Sequence, residues 1–146
     1  NERHNKLLLQ NTDLLLLNRT EALCFTGTTS IDEALASLVR SGAHTICITD
    51  GAKGVFASDG KQQYHCPILE GEPVVDTTGA GDAFGTATTW ALLDGLSLPE
   101  ALRAGTMNAS SVVGAMGAQE GMLTETAIRT KLETVSLQVD TTSLPL

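Results

Sequence analysis

Basic residues are scarce in this chain of 146: 9 Lys and Arg stand against 17 Asp and Glu, a net charge of −8, and no Lys/Arg run occurs. Such a surface repels polyanions, so nucleic acid is not expected as a partner. Aromatic residues amount to 3%, which points to a core of small and branched aliphatics around helices. Cys24, Cys47 and Cys66 are odd in number, widely spaced and in no metal-ligand pattern. That argues against a disulfide framework and a zinc site and for reduced thiols, so a cytoplasmic location is expected. Long apolar runs are missing too. The longest, residues 7–9 and 14–17, are split by Gln10, Asn11, Thr12 and Asp13, which leaves neither a membrane span nor a secretory core.

What is present fits a soluble globular chain: 42% hydrophobic residues and a length that suits one compact domain over residues 1–146. The end, "LQVDTTSLPL" at 137–146, reads as a loose tail. The chain opens Asn-Glu-Arg rather than Met, as expected of a processed chain, an expressed fragment, or a chain whose amino-terminal piece lies elsewhere.

The pattern alternates strands and helices and ends in helices, an α/β layer structure. "DLLLL" at 13–17 predicts a central parallel strand buried on both faces. "NRTEALCFTG" and "SIDEALASLVRSG" predict two short helices, the second capped by Ser30 with Glu33 in a capping box and closed by Gly42. Its apolar stripe is Ile31, Leu35, Leu38 and Val39. A buried strand at 45–49, a hairpin turning at Ser58-Asp59-Gly60 and a short strand "PVVD" at 73–76 follow. Helices are expected over about 80–93, 97–115 and 125–135.

Residues 76–84, "DTTGAGDAF", carry the chemistry. A glycine turn opening a helix makes an anion site, because the first N–H groups are unpaired and the dipole end is positive. Gly79 and Gly81 let backbone N–H groups approach phosphate oxygens closely. Asp82 would repel a phosphate that was merely bound, but as a catalyst it accepts the proton of an attacking hydroxyl. A P-loop would need Lys-Ser or Lys-Thr after the second glycine, and a dinucleotide fingerprint a glycine where Phe84 sits. The bland alternative is a strand-to-helix turn with an acidic first turn. Against it, Gly85, Thr86, Thr88 and Thr89 are poor helix formers, so this helix start is not built for intrinsic stability.

"DTTGAGDAF" resembles the carboxyl-terminal signature of the ribokinase family of carbohydrate kinases, also called PfkB-type. "NRTEA" at 18–22, "ITDGAKG" at 48–54 and "NASSVVGAMGAQEG" at 108–121 fit the same family in the same order. The resemblance implies a ribokinase-like layered α/β fold, here its carboxyl-terminal half, with a mainly parallel sheet flanked by helices. It implies transfer of the γ-phosphate of ATP to a sugar or nucleoside hydroxyl, with Mg²⁺ and a monovalent cation such as K⁺ assisting.

Carried over by position, Asp82 resembles the catalytic base, and the backbone of Gly79, Ala80 and Gly81 the anion hole. Asn18 and Glu21 match an Asn-x-x-Glu motif near Mg²⁺, which acts through water. Thr49, Gly51 and Gly54 match the loop beside the nucleotide, where missing side chains make room. Asn108 resembles a position close to the adenine, and Asp76 and Thr78 part of a monovalent-cation site whose carbonyls come from around Gly117. Thr86 stands where the family has a smaller residue, expected to tighten packing beneath the anion hole. The family's amino-terminal half, with most acceptor contacts, would precede Asp13.

Outside the motifs the readings are plain. His4, His44 and His65 are expected at the surface or in structural roles, the three cysteines as small apolar packing, and Trp90 in a helical core stripe with Ala83, Ala87 and Ala91. The leading expectation is therefore an ATP-dependent sugar kinase that acts as part of a longer chain, with ATP/ADP and a small sugar-like acceptor as partners. The alternative is a catalytically silent half that binds nucleotide or self-associates as a homo-oligomer.

Overall fold

The computed structural model describes residues 2–71, 74–116 and 120–144. They fall into two compact units.

The first unit holds α1 (Glu2–Gln10), β1 (Leu14–Asn18), α2 (Arg19–Thr26), α3 (Ile31–Arg40), β2 (Thr45–Thr49), β3 (Val55–Ser58), β4 (Gln62–Cys66) and β5 (Asp140–Ser143). The five strands form one sheet in the order β1-β2-β3-β4-β5. β1 and β2 run parallel, with Leu14 opposite Thr45 and Asn18 opposite Thr49. β2 with β3 and β4 with β5 are antiparallel. The expected mainly parallel sheet is thus a mixed one, because the hairpin at 58–60 and the return of β5 reverse direction after a single parallel crossover.

That crossover is α2 and α3, and local signals set its limits. Ser30 accepts from Glu33 N–H, and Glu33 Oε2 accepts from Ser30 N–H, the reciprocal bond pair expected from the sequence. Leu35 and Leu38 are fully buried with Ala34, Ile46 and Ile48, while Ile31 and Val39 pack at the margin. Each buried leucine contributes about 1.5–3 kcal/mol by removal from water. The hairpin turns on Asp59, whose Oδ1 accepts from Lys61 and Gln62 N–H and whose Oδ2 accepts from Tyr64 O–H.

Three expectations differ here. β1 is an edge strand in this sheet, with Leu16 38% exposed, rather than a central one buried on both faces. An unbroken leucine run says that a strand is apolar, not which of its faces is covered. "PVVD" forms no strand over its described residues: Val75 and Asp76 N–H both donate to the Val113 carbonyl, and both valines are exposed. Within 137–146, residues Asp140–Ser143 form β5 against β4.

The second unit is helical: α4 (Ala80–Leu93), α5 (Leu98–Val113) and α6 (Glu125–Thr134). α4 starts and ends where its pattern placed it. Ala87, Ala91, Ala101, Ala104 and Ile128 form its core, with Trp90 packed at the edge as expected. Arg129 joins α6 to α4 by an ion pair with Asp94 at 2.6 Å and by its place 5.1 Å over the Trp90 ring. Among the described residues no helix is long and apolar enough to cross a membrane.

Candidate active site

In the first unit, parallel pairing brings two of the sequence motifs side by side. Asn18 ends β1 and Thr49 ends β2, and the two are register partners. Ligands of open α/β sheets bind at the carboxyl ends of parallel strands, and these residues stand there. Asn18 Oδ1 accepts from Glu21 N–H at 2.9 Å, and Glu21 Oε2 accepts from Asn18 N–H at 2.8 Å. The pair is a capping box that starts α2, and both side chains are exposed. Among the described residues no three His, Cys, Asp or Glu gather into a metal cage.

Beyond β2 the chain makes a turn, Gly51–Lys53. Gly51 has φ 52° and open space where a Cβ would lie. Gly54 differs: at φ 85° an added Cβ would strike the Cys66 carbonyl and lie 2.9 Å from Pro67 Cα. Its bareness serves a close backbone approach within the protein.

In the second unit Gly79 sits at φ 80° as the residue before α4, a conformation that favours glycine, and offers no side-chain cap. Ala83 N–H to the Gly79 carbonyl, at 2.9 Å, is the first full turn bond of the helix. The N–H groups of Gly81 and Asp82 therefore have no acceptor within the helix itself. Gly81 is exposed, with nothing within 4 Å of where a Cβ would be. Asp82 is exposed on the first turn. The arrangement puts a carboxylate beside uncapped, positively polarised N–H groups.

Thr86 does not pack beneath this turn. It is exposed, and its Oγ1–H donates to the Asp82 carbonyl at 2.8 Å, the back-bonding geometry of a mid-helix threonine. Asp76 Oδ1 accepts from Thr78 N–H at 2.9 Å, which shapes the approach to the glycine turn. Gly117, expected to neighbour a cation site, lies outside the described residues.

Asn108 is placed where a ligand contact is hard to make. It is 3% exposed on α5, its Nδ2–H donates to the Ala83 carbonyl, and its Oδ1 accepts from Leu123 N–H, both at 2.8 Å. Gly105, one turn earlier, lies so close to α4 that a Cβ would strike Thr88 Oγ1 and stand 2.7 Å from the Phe84 ring. The sequence reading passed over Gly105, although an isolated glycine inside a helical pattern is a recognisable packing signal.

The other candidates stay in structural roles. His65 stacks on Phe56 at 4.5 Å, and His44 is exposed; the side chain of His4 lies outside the described residues. All three cysteines are free, Cys47 and Cys66 buried as expected, but Cys24 exposed on α2. Burial pushes the Cys47 thiol up to about 12, which leaves it inert.

Comparison with known proteins shows the family. The family described as pfkB family carbohydrate kinase matches residues 2–125. A ribokinase of Haemophilus influenzae is 40% identical over 125 residues, covering 80% of this chain and 40% of the relative. A cytidine kinase of Thermococcus kodakarensis is 32% identical over 111 residues, covering 75% of this chain and 40% of the relative. The solved structure of Arabidopsis thaliana ribokinase complexed with ribose and ATP matches with a TM-score of 0.79 at 31% identity, covering 88% of this chain and 43% of that one. The chain thus spans about two fifths of the length of these relatives. The match runs through the Asn18, Thr49 and Asp82 motifs alike, and the ribokinase-like α/β fold is shared; the chain belongs to the pfkB family of carbohydrate kinases.

Proposed function

We propose that the protein carrying this chain is an ATP-dependent kinase for a sugar or nucleoside hydroxyl, with Asp82 as general base. The observation that carries the reading is the exposed Asp82 carboxylate on the first turn of α4, beside N–H groups that the helix leaves unpaired. Asp82 takes the proton of the acceptor hydroxyl as its oxygen attacks the γ-phosphorus; the bond to the β-phosphate breaks, and ADP leaves. The backbone around Gly79, Ala80 and Gly81 holds the negative charge that grows on the transferred group. Relatives supply the precedent for substrate class: one solved neighbour is a ribokinase complexed with ribose and ATP, and another relative is a cytidine kinase.

The nucleotide side is supported by Thr49 and Gly51 at the carboxyl end of β2. In their mutual cap Asn18 uses its one side-chain oxygen and Glu21 one of its two, which leaves Glu21 Oε1 outside the cap. That suits hydrated Mg²⁺, which keeps several waters and takes phosphate oxygens, better than it suits a caged ion. Mg²⁺ when bound would neutralise charge on the phosphates. For K⁺ the support is the resemblance around Asp76 and Thr78. Two buried free thiols fit a reducing, cytoplasmic setting.

The test uses the protein expressed from its complete reading frame, assayed for ADP formation with ATP, Mg²⁺ and a panel of pentoses, hexoses and nucleosides. Acceptor-dependent ADP release with a phosphorylated product supports the reading. No turnover on any member of the panel, in a folded protein that binds ATP, counts against it.

A further inference from the structure

The buried Asn108 amide ties α5 to the turn bearing Asp82 through Nδ2 and to the segment before α6 through Oδ1. Nδ2–H donates to the Ala83 carbonyl and Oδ1 accepts from Leu123 N–H. Only nitrogen can donate to a carbonyl and only oxygen can accept from an N–H, so the orientation of the amide is fixed by its partners. At 3% exposure the side chain offers little surface to a nucleotide base.

Ala83 directly follows Asp82 in the first turn of α4. The Asp82 carbonyl is held by the Thr86 hydroxyl on the exposed side of the helix, and the Ala83 carbonyl by Asn108 on the buried side. The contact depends on Gly105: it lies three residues before Asn108, on the same face of α5, and its missing Cβ lets α5 close onto Phe84 and Thr88. Without that approach the short Asn108 side chain would not span to the α4 backbone.

We infer that Asn108 is a positioning residue for phosphoryl transfer, fixing the first turn of α4 and with it the direction of the Asp82 carboxylate. The inference rests on the reading of Asp82 as base. Misplacing a reacting group by about 1 Å costs on the order of 10²-fold in rate, so a loosened first turn lowers kcat and leaves ATP affinity nearly intact.

The experiment compares Asn108→Asp and Asn108→Ala with the parent in the full protein. Asn108→Asp keeps an acceptor for Leu123 N–H but sets a second acceptor against the Ala83 carbonyl. Its kcat should fall roughly 10- to 100-fold with KM for ATP within about threefold. Its deficit should also shrink on acidification, because a protonated carboxyl restores the donor. Asn108→Ala should lose kcat without that pH-dependent recovery. In every sample kcat is referred to the folded fraction measured by circular dichroism, so loss of fold is not counted as loss of rate.

A kcat within twofold of the parent would overturn the inference, and so would a raised KM for ATP at unchanged kcat, which would mark a nucleotide contact. Asp82→Asn is run beside them. Normal turnover there removes the base and this inference together; an inactive Asp82→Asn with a normal Asn108→Asp overturns the positioning role alone.

Discussion

Asn18 and Thr49 face each other as the last register pair of the parallel β1/β2 ladder. Two motifs 31 positions apart in the chain (49 − 18) are thereby delivered to one edge, at the strand ends where α/β sheets hold ligands. The pairing sets an Asn-x-x-Glu motif and a Thr-x-Gly turn side by side.

The Asn18–Glu21 pair separates stability from function by the choice of substitution. Asn18→Ala removes the cap of α2 and should cost about 1 kcal/mol. Glu21→Gln keeps an acceptor for Asn18 N–H but deletes the charge, so it should leave stability almost unchanged. If Glu21 acts near hydrated Mg²⁺, the Mg²⁺ concentration for half-maximal rate should rise about tenfold or more. Denaturant midpoints and Mg²⁺ titrations of turnover read the two effects; an unchanged Mg²⁺ requirement would remove Glu21 from the metal's surroundings.

Gly105→Ala should destabilise the helical unit by about 1–3 kcal/mol through overpacking. The added methyl group meets Thr88 and the Phe84 ring, neither of which sits at the free end of a flexible chain. A urea titration of the variant checks this. Stability equal to the parent would show that α4 and α5 can separate without penalty.

Acidification should erode stability through three carboxylates held below their ordinary values. Thr29 N–H, then the Thr29 and Ser30 side chains, lower Glu33; the Ser97 hydroxyl and N–H lower Glu100. For Asp59, partial burial raises the value, but bonds from Gln62, Lys61 and Tyr64 together outweigh it. A group whose folded value lies below its unfolded one stabilises the fold above the unfolded value and loses that contribution as pH falls through the folded one. The loss therefore begins near the ordinary glutamate value of 4.5 and continues below it. Urea midpoints against pH should fall less steeply in that range for Glu33→Gln than for the parent, and parallel curves would contradict the assignment.

The sequence made visible those features whose causes are local. Ser30 with Glu33 set the start of α3, and the hairpin turned on Ser58, Asp59 and Gly60 as read. Features settled by distant partners were hidden. The leucines of helix α1 stand in one run, Leu7 to Leu9, with no helical period to mark them. β5 is made of exposed polar residues, with no alternation to mark it as a strand. Asn108 sits 25 residues from Ala83 and 15 from Leu123, so a helical asparagine gave no sign that its amide closes two backbone gaps. Of the candidate site, Asp82 and its glycines were legible because a turn and a helix start are written in adjacent residues.

The central claim is that the Asp82 carboxylate takes the hydroxyl proton, and turnover by Asp82→Asn in the full protein tests it most directly. The amide keeps the size of the side chain and removes its basicity. The account predicts a kcat lower by about 10²- to 10⁴-fold, with ATP affinity by calorimetry and the denaturation midpoint close to those of the parent. A variant that turns over within threefold of the parent, equally folded, would contradict it.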